Sequence, residues 1–232
     1  MSIQTDLLAE VKHVFFDMDG TMVDSIPFHQ ESWLRFLSNH GIHLRPEEFH
    51  AQNHGTIHEM IRRFFPHEKS SQRILELGEE KEYTYRQLYS SHLVEIKGLS
   101  SFLEHLKTNG ISIHLSTMGD QNNIDFILDG LELRHFFKTI TGGHEVFKGK
   151  PDPEIFELSL KKAGAKPAES IVFEDSGGGI RAAKAAGLQV LGLATTHSQR
   201  ELIELGCLLA YHDFSEILNE KRRINFNSPK ED

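Results

Sequence analysis

Cysteine is nearly missing from the chain: Cys207 stands alone in 232 residues. An intrachain disulfide and a cysteine-based zinc cluster are therefore excluded, and Cys207 is expected as a small buried apolar residue. Long apolar runs are lacking too. No stretch approaches the ~18 to 20 uninterrupted apolar residues of a membrane span. Positive charge is in deficit, with 25 Lys and Arg against 34 Asp and Glu and a net charge of −9. That balance argues against nucleic acid as a partner. The segment 'MSIQTDLLAEVKH' has neither a basic start nor a long apolar core, so no secretory signal is read there and a cytoplasmic protein is expected. Repeats and low-complexity linkers are absent. None of the 15 histidines falls in an HExxH pattern; His54 and His58 could share a helix face, but no third zinc ligand lies near them.

What is present is an alternation of short apolar strands with amphipathic helices, the pattern of a parallel sheet with helical crossovers. Strands are predicted at Val11–Phe16, Ser112–Leu115, Thr139–Thr141, Ile171–Phe173 and Gln189–Leu193. One intervening helix carries Leu99, Phe102, Leu103 and Leu106 and stops at Gly110; another carries Ile124, Ile127, Leu128 and Leu131. A third, 'PEIFELSLKKAG', is expected to take Asp152 as N-cap, Pro153 in its first turn and Gly164 at its stop. Between the first two strands, residues 26–95 break the alternation with helical stripes only: Trp33, Phe36, Leu37, then Met60, Ile61, Phe64, Phe65, then Leu75 through Leu93. The fold class expected is thus α/β, a Rossmann-like parallel sheet core from 1–25 and 96–232 with an inserted small α-helical module at 26–95. The polar tail, 219–232, is expected to fray.

Groups capable of chemistry collect at strand ends. Asp17 and Asp19 follow 'HVFF'; Ser116 and Thr117 end 'SIHLST'; Lys150 lies in 'FKGKPDP'; Glu174 and Asp175 end 'IVFED'. Ligands of open parallel sheets sit at the carboxyl ends of the strands, so the fold would gather these groups into one pocket. Crowded carboxylates tolerate one another around a hard divalent cation, and Mg²⁺ favours a few carboxylates, waters and a substrate phosphate. A lysine and a hydroxyl supply the positive charge and hydrogen bond that an anionic oxygen needs. The pattern reads as a phosphoryl-transfer site. 'FKGKP' is no nucleotide P-loop, since it lacks the spaced upstream glycine and has proline after the lysine. The run Gly177–Gly179 reads as a tight helix entry.

Taken in order, 'DMDGT' after a strand, the hydroxyl of Ser116, the lysine of 'GKPDP' and the acids of 'FEDSGGGIRAAKAAG' resemble the haloacid dehalogenase superfamily over essentially the whole chain. 'DGTMVDSIPFHQESW' and the helical insert resemble its beta-phosphoglucomutase-like branch, in which the insert is a cap. The resemblance implies roles. Asp17 would be the nucleophile that forms an aspartyl-phosphate, and Asp19 the general acid and then base. Asp17, the backbone carbonyl of Asp19, Asp175 and Glu174 (directly or from a second shell) would surround Mg²⁺. Lys150 would hold nucleophile and phosphate, Ser116 the transferring phosphoryl group, with Thr21 orienting it and Thr117 beside it. His29, next to Trp33 in the hinge helix, would position cap closure, and Asp24 and Ser25 would belong to the hinge. The superfamily's dehalogenases carry tyrosine where Asp19 stands and its phosphonatases alanine, so an acid favours ester hydrolysis or phosphoryl transfer.

The resemblance leaves two activities, a phosphatase acting on a small sugar phosphate-like metabolite and a sugar phosphate mutase. Mutases of this branch grip a second phosphate with a lysine and an arginine of the cap; here His54 and His58 stand at those places. They also carry lysine and asparagine where this chain has Gly119 and Asp120. These departures favour the phosphatase, with a monomer fitting the modest size. A signalling receiver would lack the helical insert and the second acid two residues on, and nothing favours a catalytically silent scaffold.

Overall fold

The computed structural model describes residues 11–219; the polar tail beyond Asn219 and most of the N-terminal segment lie outside them. A six-stranded, all-parallel sheet runs in the order β3-β2-β1-β4-β5-β6. Its strands are β1 His13–Phe16, β2 Ser112–Ser116, β3 Phe137–Thr141, β4 Ser170–Glu174, β5 Gln189–Leu193 and β6 Leu209–Tyr211. Strand β1 pairs with β2 on one side and β4 on the other, which makes it a central strand buried on both faces. That explains why 'VFF' is uninterrupted rather than alternating. Val14 and Phe16 join one hydrophobic cluster with Ile171 and Phe173, while Phe15 joins a second with Val172 on the opposite face. Phe16 stacks on Phe173 at 5.1 Å between ring centroids.

Ten α-helices complete the described residues: α1 Ile26–Asn39, α2 Pro46–His50, α3 Ile57–Phe64, α4 Ser71–Tyr89, α5 Leu99–Thr108, α6 Gln121–Gly130, α7 Glu154–Ala163, α8 Gly177–Ala185, α9 Gln199–Leu205 and α10 Phe214–Asn219. The first four follow β1 without an intervening strand and enclose their own cluster, Trp33, Phe36, Leu37, Phe49, Met60, Ile61, Ile74 and Leu77. Helix α3 opens on a capping box, Thr56 Oγ1 accepting from the Glu59 N–H at 3.2 Å and Glu59 Oε2 from the Thr56 N–H at 2.6 Å. The α7 start differs by one residue from expectation: Pro153 takes the N-cap place, and the Asp152 carboxylate accepts from the Glu154 N–H at 3.1 Å. Gly164 ends α7 in the left-handed conformation, φ +62°, as its position implied. Cys207 is buried.

In the middle of β2, His114 is buried among Phe15, His13 and Thr139. Its Nδ1 lies 2.8 Å from the Thr139 hydroxyl and its Nε2 3.1 Å from His13 Nδ1. Burial first, then the charges of His13 and Lys138, push the His114 imidazole down from 6.5 to about 4. The folded protein therefore keeps His114 neutral where the unfolded chain takes up a proton. Its stability contribution is present above about pH 6.5 and is lost as pH falls toward 4, at about 1.4 kcal/mol per pH unit for one proton. His114→Gln should flatten that slope. Urea unfolding of both proteins from pH 7 to 4.5 checks this; the difference between them removes the carboxylates, whose raised values act in the opposite sense. Parallel slopes would remove His114 from the account.

Candidate active site

The strand order reverses direction at β1, and the crevice between β1 and β4 opens where their carboxyl ends meet. The Asp17 N–H continues the ladder onto the Phe173 carbonyl at 3.0 Å, so the first acid sits on the rigid end of a core strand. The chain then turns through Gly20, φ +86°, where a Cβ would lie 2.3 Å from Asp175 Oδ2. Glycine is needed there for both conformation and space. Gly179 serves the second acid pair: a Cβ on it would meet the Glu174 carboxylate at 1.7 Å. The expected tight helix entry is thus the room in which Glu174 lies.

Four charged side chains converge in this crevice. Lys150 Nζ donates to Asp17 Oδ1 and to Glu174 Oε1, each at 2.6 Å, and all three side chains are buried. Glu174 Oε2 accepts from the N–H groups of Asp175 and Ser176 and from the Ser176 hydroxyl, each at 3.0 Å. Burial works against the Lys150 ammonium, but Asp17 and Glu174 hold it well above its ordinary value. One lysine does not balance three carboxylates. Burial first, then repulsion from Glu174 and Asp19, raises the Asp17 carboxyl to about 7 against the pull of Lys150. Asp175 is raised as well, by burial and by Glu174 and Asp17.

Oxygens of Asp17, Glu174 and Asp175 all lie within 4.8 Å of one another. An all-carboxylate set with no histidine or cysteine suits a hard cation such as Mg²⁺. The uncompensated negative charge is a second reason for one to bind there. Asp19 projects elsewhere. Its Oδ1 accepts from the Ser25 hydroxyl at 2.6 Å, faces His29 Nε2 at 3.1 Å and accepts from the Tyr85 hydroxyl at 3.3 Å. Burial alone would raise this carboxyl; His29, Ser25 and the Lys81 ammonium outweigh it and hold Asp19 below the ordinary carboxylate range. Lys81 Nζ lies 2.9 Å from His29 Nδ1. An ammonium can only donate, so Nδ1 accepts and Nε2 carries the proton directed at Asp19. The His29 ring also stacks on Tyr85 at 3.6 Å.

Ser116, expected to meet the phosphoryl group, is turned inward. Ser159 donates to the Ile155 carbonyl at 2.8 Å and so accepts from the Ser116 hydroxyl at 2.7 Å. The reason is strand alternation: β2 runs one residue further than expected, and Ser116 takes the face opposite Leu115, toward α7. Thr117 follows just beyond the strand. Its Oγ1 accepts from the Gly119 N–H at 2.9 Å, and among the described residues no acceptor takes its proton. Thr21 donates to Asp175 Oδ1 at 3.2 Å. His54 is exposed, with Arg63 Nη2 3.3 Å from its Nδ1. His58 lines a cavity of about 440 Å³ with Arg62 and Phe147.

Sequence reasoning missed Ser25, Lys81 and Tyr85 as partners of Asp19. Lys81 left a signal, since it interrupts the buried stripe Ile74, Leu77, Tyr85 at helical spacing and is itself buried. Ser25, assigned to the hinge, holds the acid six residues before it. Besides these contacts to Asp19, the helical segment meets the loop before α7 and the start of α6. Glu59 Oε2 accepts from the Gly149 N–H at 3.0 Å, and a Cβ on Gly149 would lie 2.3 Å from the Gly55 carbonyl carbon. Across the crevice, Arg86 donates to Asn123 Oδ1, and Asn123 to buried Glu82, each at 2.8 Å.

The model of the family "Haloacid dehalogenase-like hydrolase" matches residues 14–193. The chain is 30% identical to a phosphorylated carbohydrates phosphatase of Thermotoga maritima over 91% of its length and 98% of the relative's. It is 29% identical to hexitol phosphatase A of Escherichia coli, over 91% and 95%. Among solved structures, a haloacid dehalogenase hydrolase of family IA, variant 3, from Entamoeba histolytica superposes with a TM-score of 0.80 at 32% identity, covering 91% of this chain and 97% of that one. With the acids, the lysine and the strand order all in the places the motifs implied, the chain belongs to the haloacid dehalogenase-like hydrolases.

Proposed function

We propose that the protein is a Mg²⁺-dependent phosphomonoester hydrolase, a cytoplasmic monomer that acts on a small sugar phosphate-like metabolite through an aspartyl-phosphate. The observation that carries this is the buried cluster of Asp17, Glu174 and Asp175 around Lys150. Asp17 and Asp175, with the carbonyl of Asp19, would hold the cation, and Glu174, saturated by Lys150 and three loop donors, braces them. When bound, Mg²⁺ supplies the positive charge that lets a carboxylate approach a phosphate dianion. Residues 26–95 form the cap that closes over the ester.

Lys150 occupies Oδ1 of Asp17, which leaves Oδ2 to attack phosphorus. The phosphorus–oxygen ester bond breaks, and the leaving oxygen takes a proton from Asp19. Water then attacks the aspartyl-phosphate, gives its proton to Asp19, and releases inorganic phosphate with Asp17 restored. The ionised Asp19 of the present arrangement is the form the second half needs. A phosphate dianion beside it raises its carboxyl and favours the protonated form that the first half needs. Ser116 being committed to Ser159, the hydroxyl assigned to the phosphoryl group is that of Thr117. Thr21 acts through Asp175, and His29 through Asp19.

The carbohydrate-phosphate class is supported by the names of the two relatives. Hydrolysis rather than mutation is supported by the wall a second phosphate would meet. Asp120 caps α6 through the Asn123 N–H at 2.8 Å, with Glu82 and Glu79 close enough to raise it after burial does. The full chain with Mg²⁺, offered some dozens of phosphorylated metabolites and no bisphosphate, should release phosphate best from hexose and hexitol phosphates. Interconversion of hexose 1- and 6-phosphates with little phosphate release would overturn the reading.

A further inference from the structure

Asp175 is braced from a loop that the roles above leave unused. Strand β5 lies beside β4 with Gly192 opposite Glu174, so the loop after β5 emerges next to the acids. Thr196 Oγ1 lies 2.8 Å from Asp175 Oδ2 and 2.8 Å from the Asp175 carbonyl oxygen, sharing its proton between them. The neighbouring His197 places Nδ1 3.1 Å from the same carbonyl and 3.0 Å from Thr196 Oγ1, where a proton on Nδ1 leaves that of Thr196 to Asp175. Thr195 Oγ1 donates to the Gly20 carbonyl at 2.5 Å, and so ties down the turn that follows Asp19. From the other side Thr21 donates to Asp175 Oδ1. Lys150 reaches Asp17 and Glu174, whereas the hydrogen bonds that Asp175's carboxylate receives among the described residues come from hydroxyls. Each carboxylate oxygen is oriented and keeps a lone pair, without a cation held against it.

We propose that Thr196, assisted by Thr195, is a positioning residue for the cation seat: one loop fixes both Asp175 and the Asp19–Gly20 turn at the spacing that a divalent cation requires. The inference rests on the Mg²⁺-dependent reading above. Hydrogen-bond partners of metal ligands set affinity by fixing their orientation, and their loss typically weakens metal binding about 10- to 100-fold. A hydroxyl serves here without adding charge, so the acids keep their full attraction for the ion.

The test is calorimetric titration of the full chain with Mg²⁺ alone, beside thermal unfolding without Mg²⁺. Thr196→Val, which keeps the shape and loses the hydroxyl, should weaken Mg²⁺ binding about tenfold or more. Thr196→Ser should bind within about threefold of the unaltered protein, because the hydroxyl is restored. Equal affinity in Thr196→Val and the unaltered protein would overturn the inference and leave the cation reading standing. Were Thr196→Val to unfold at a markedly lower temperature, Thr196→Ala and the serine variant carry the comparison: full affinity in Thr196→Ala overturns the inference. No uptake of Mg²⁺ by the unaltered protein would overturn the cation reading and this inference together.

Discussion

Asp17→Asn should lower phosphate release from the best substrate by about 10⁴-fold or more at saturating Mg²⁺, while the fold survives. Loss of a nucleophile elsewhere costs up to about 10⁶, and an amide does not form the acyl phosphate. Asparagine matches aspartate in shape, and Lys150 keeps its 2.6 Å bond to Glu174. Folding should not suffer either. Because the Asp17 carboxyl is raised to about 7 by burial and neighbouring acids, the folded state holds its proton more tightly than the unfolded chain between about pH 4 and 7. Its stability contribution is therefore lost as pH rises through about 7, and removing the ionisable group relieves that loss. Phosphate release and thermal unfolding at pH 7.5 read both effects. Hydrolysis at the unaltered rate would remove Asp17 as nucleophile.

Asp19→Asn should slow hydrolysis of sugar phosphates by about 10²- to 10⁴-fold, the usual range for acid–base catalysis. The substitution keeps an Oδ1 acceptor for Ser25, His29 and Tyr85, so the geometry around it is preserved. The loss should depend on the leaving group. An aryl phosphate such as p-nitrophenyl phosphate leaves without a proton, so its first step suffers little, and the slow step becomes hydrolysis of the aspartyl-phosphate. A burst of nitrophenol followed by a slow phase is the expected signature. A normal rate on hexitol or hexose phosphates would contradict the acid–base assignment.

The expectation of an α/β parallel sheet with a helical insert came from β1 and its kin, and the strand order bears out the fold. Strand ends of a parallel sheet meet whatever lies between them, so Asp17, Lys150, Glu174 and Asp175 were legible although up to 158 residues apart in sequence. Strand β6 was not legible, since Leu209–Tyr211 is a three-residue edge with only Tyr211 buried. Ser116 and Thr117 show a finer limit. Both are hydroxyls at a strand end, and only the last residue of β2 decides which one the alternation turns inward. The tie from Lys81 through His29 to Asp19 depends on how α4 packs on α1, which no local pattern fixes. Thr196 was overlooked because a threonine after a strand reads as turn chemistry until the neighbouring strand is known.

The Gly149 backbone passes so close to that of Gly55 and Thr56 that position 149 has no room for a side chain. Glu59 fastens the same seam while also capping its own helix, so opening it unfastens the sheet side without fraying α3. If residues 26–95 act as the cap proposed above, an ester would enter, and its alcohol and phosphate leave, when that seam parts. On that reading turnover would have a ceiling set by how often Gly149 parts from Gly55, independent of how fast the phosphorus–oxygen bond breaks.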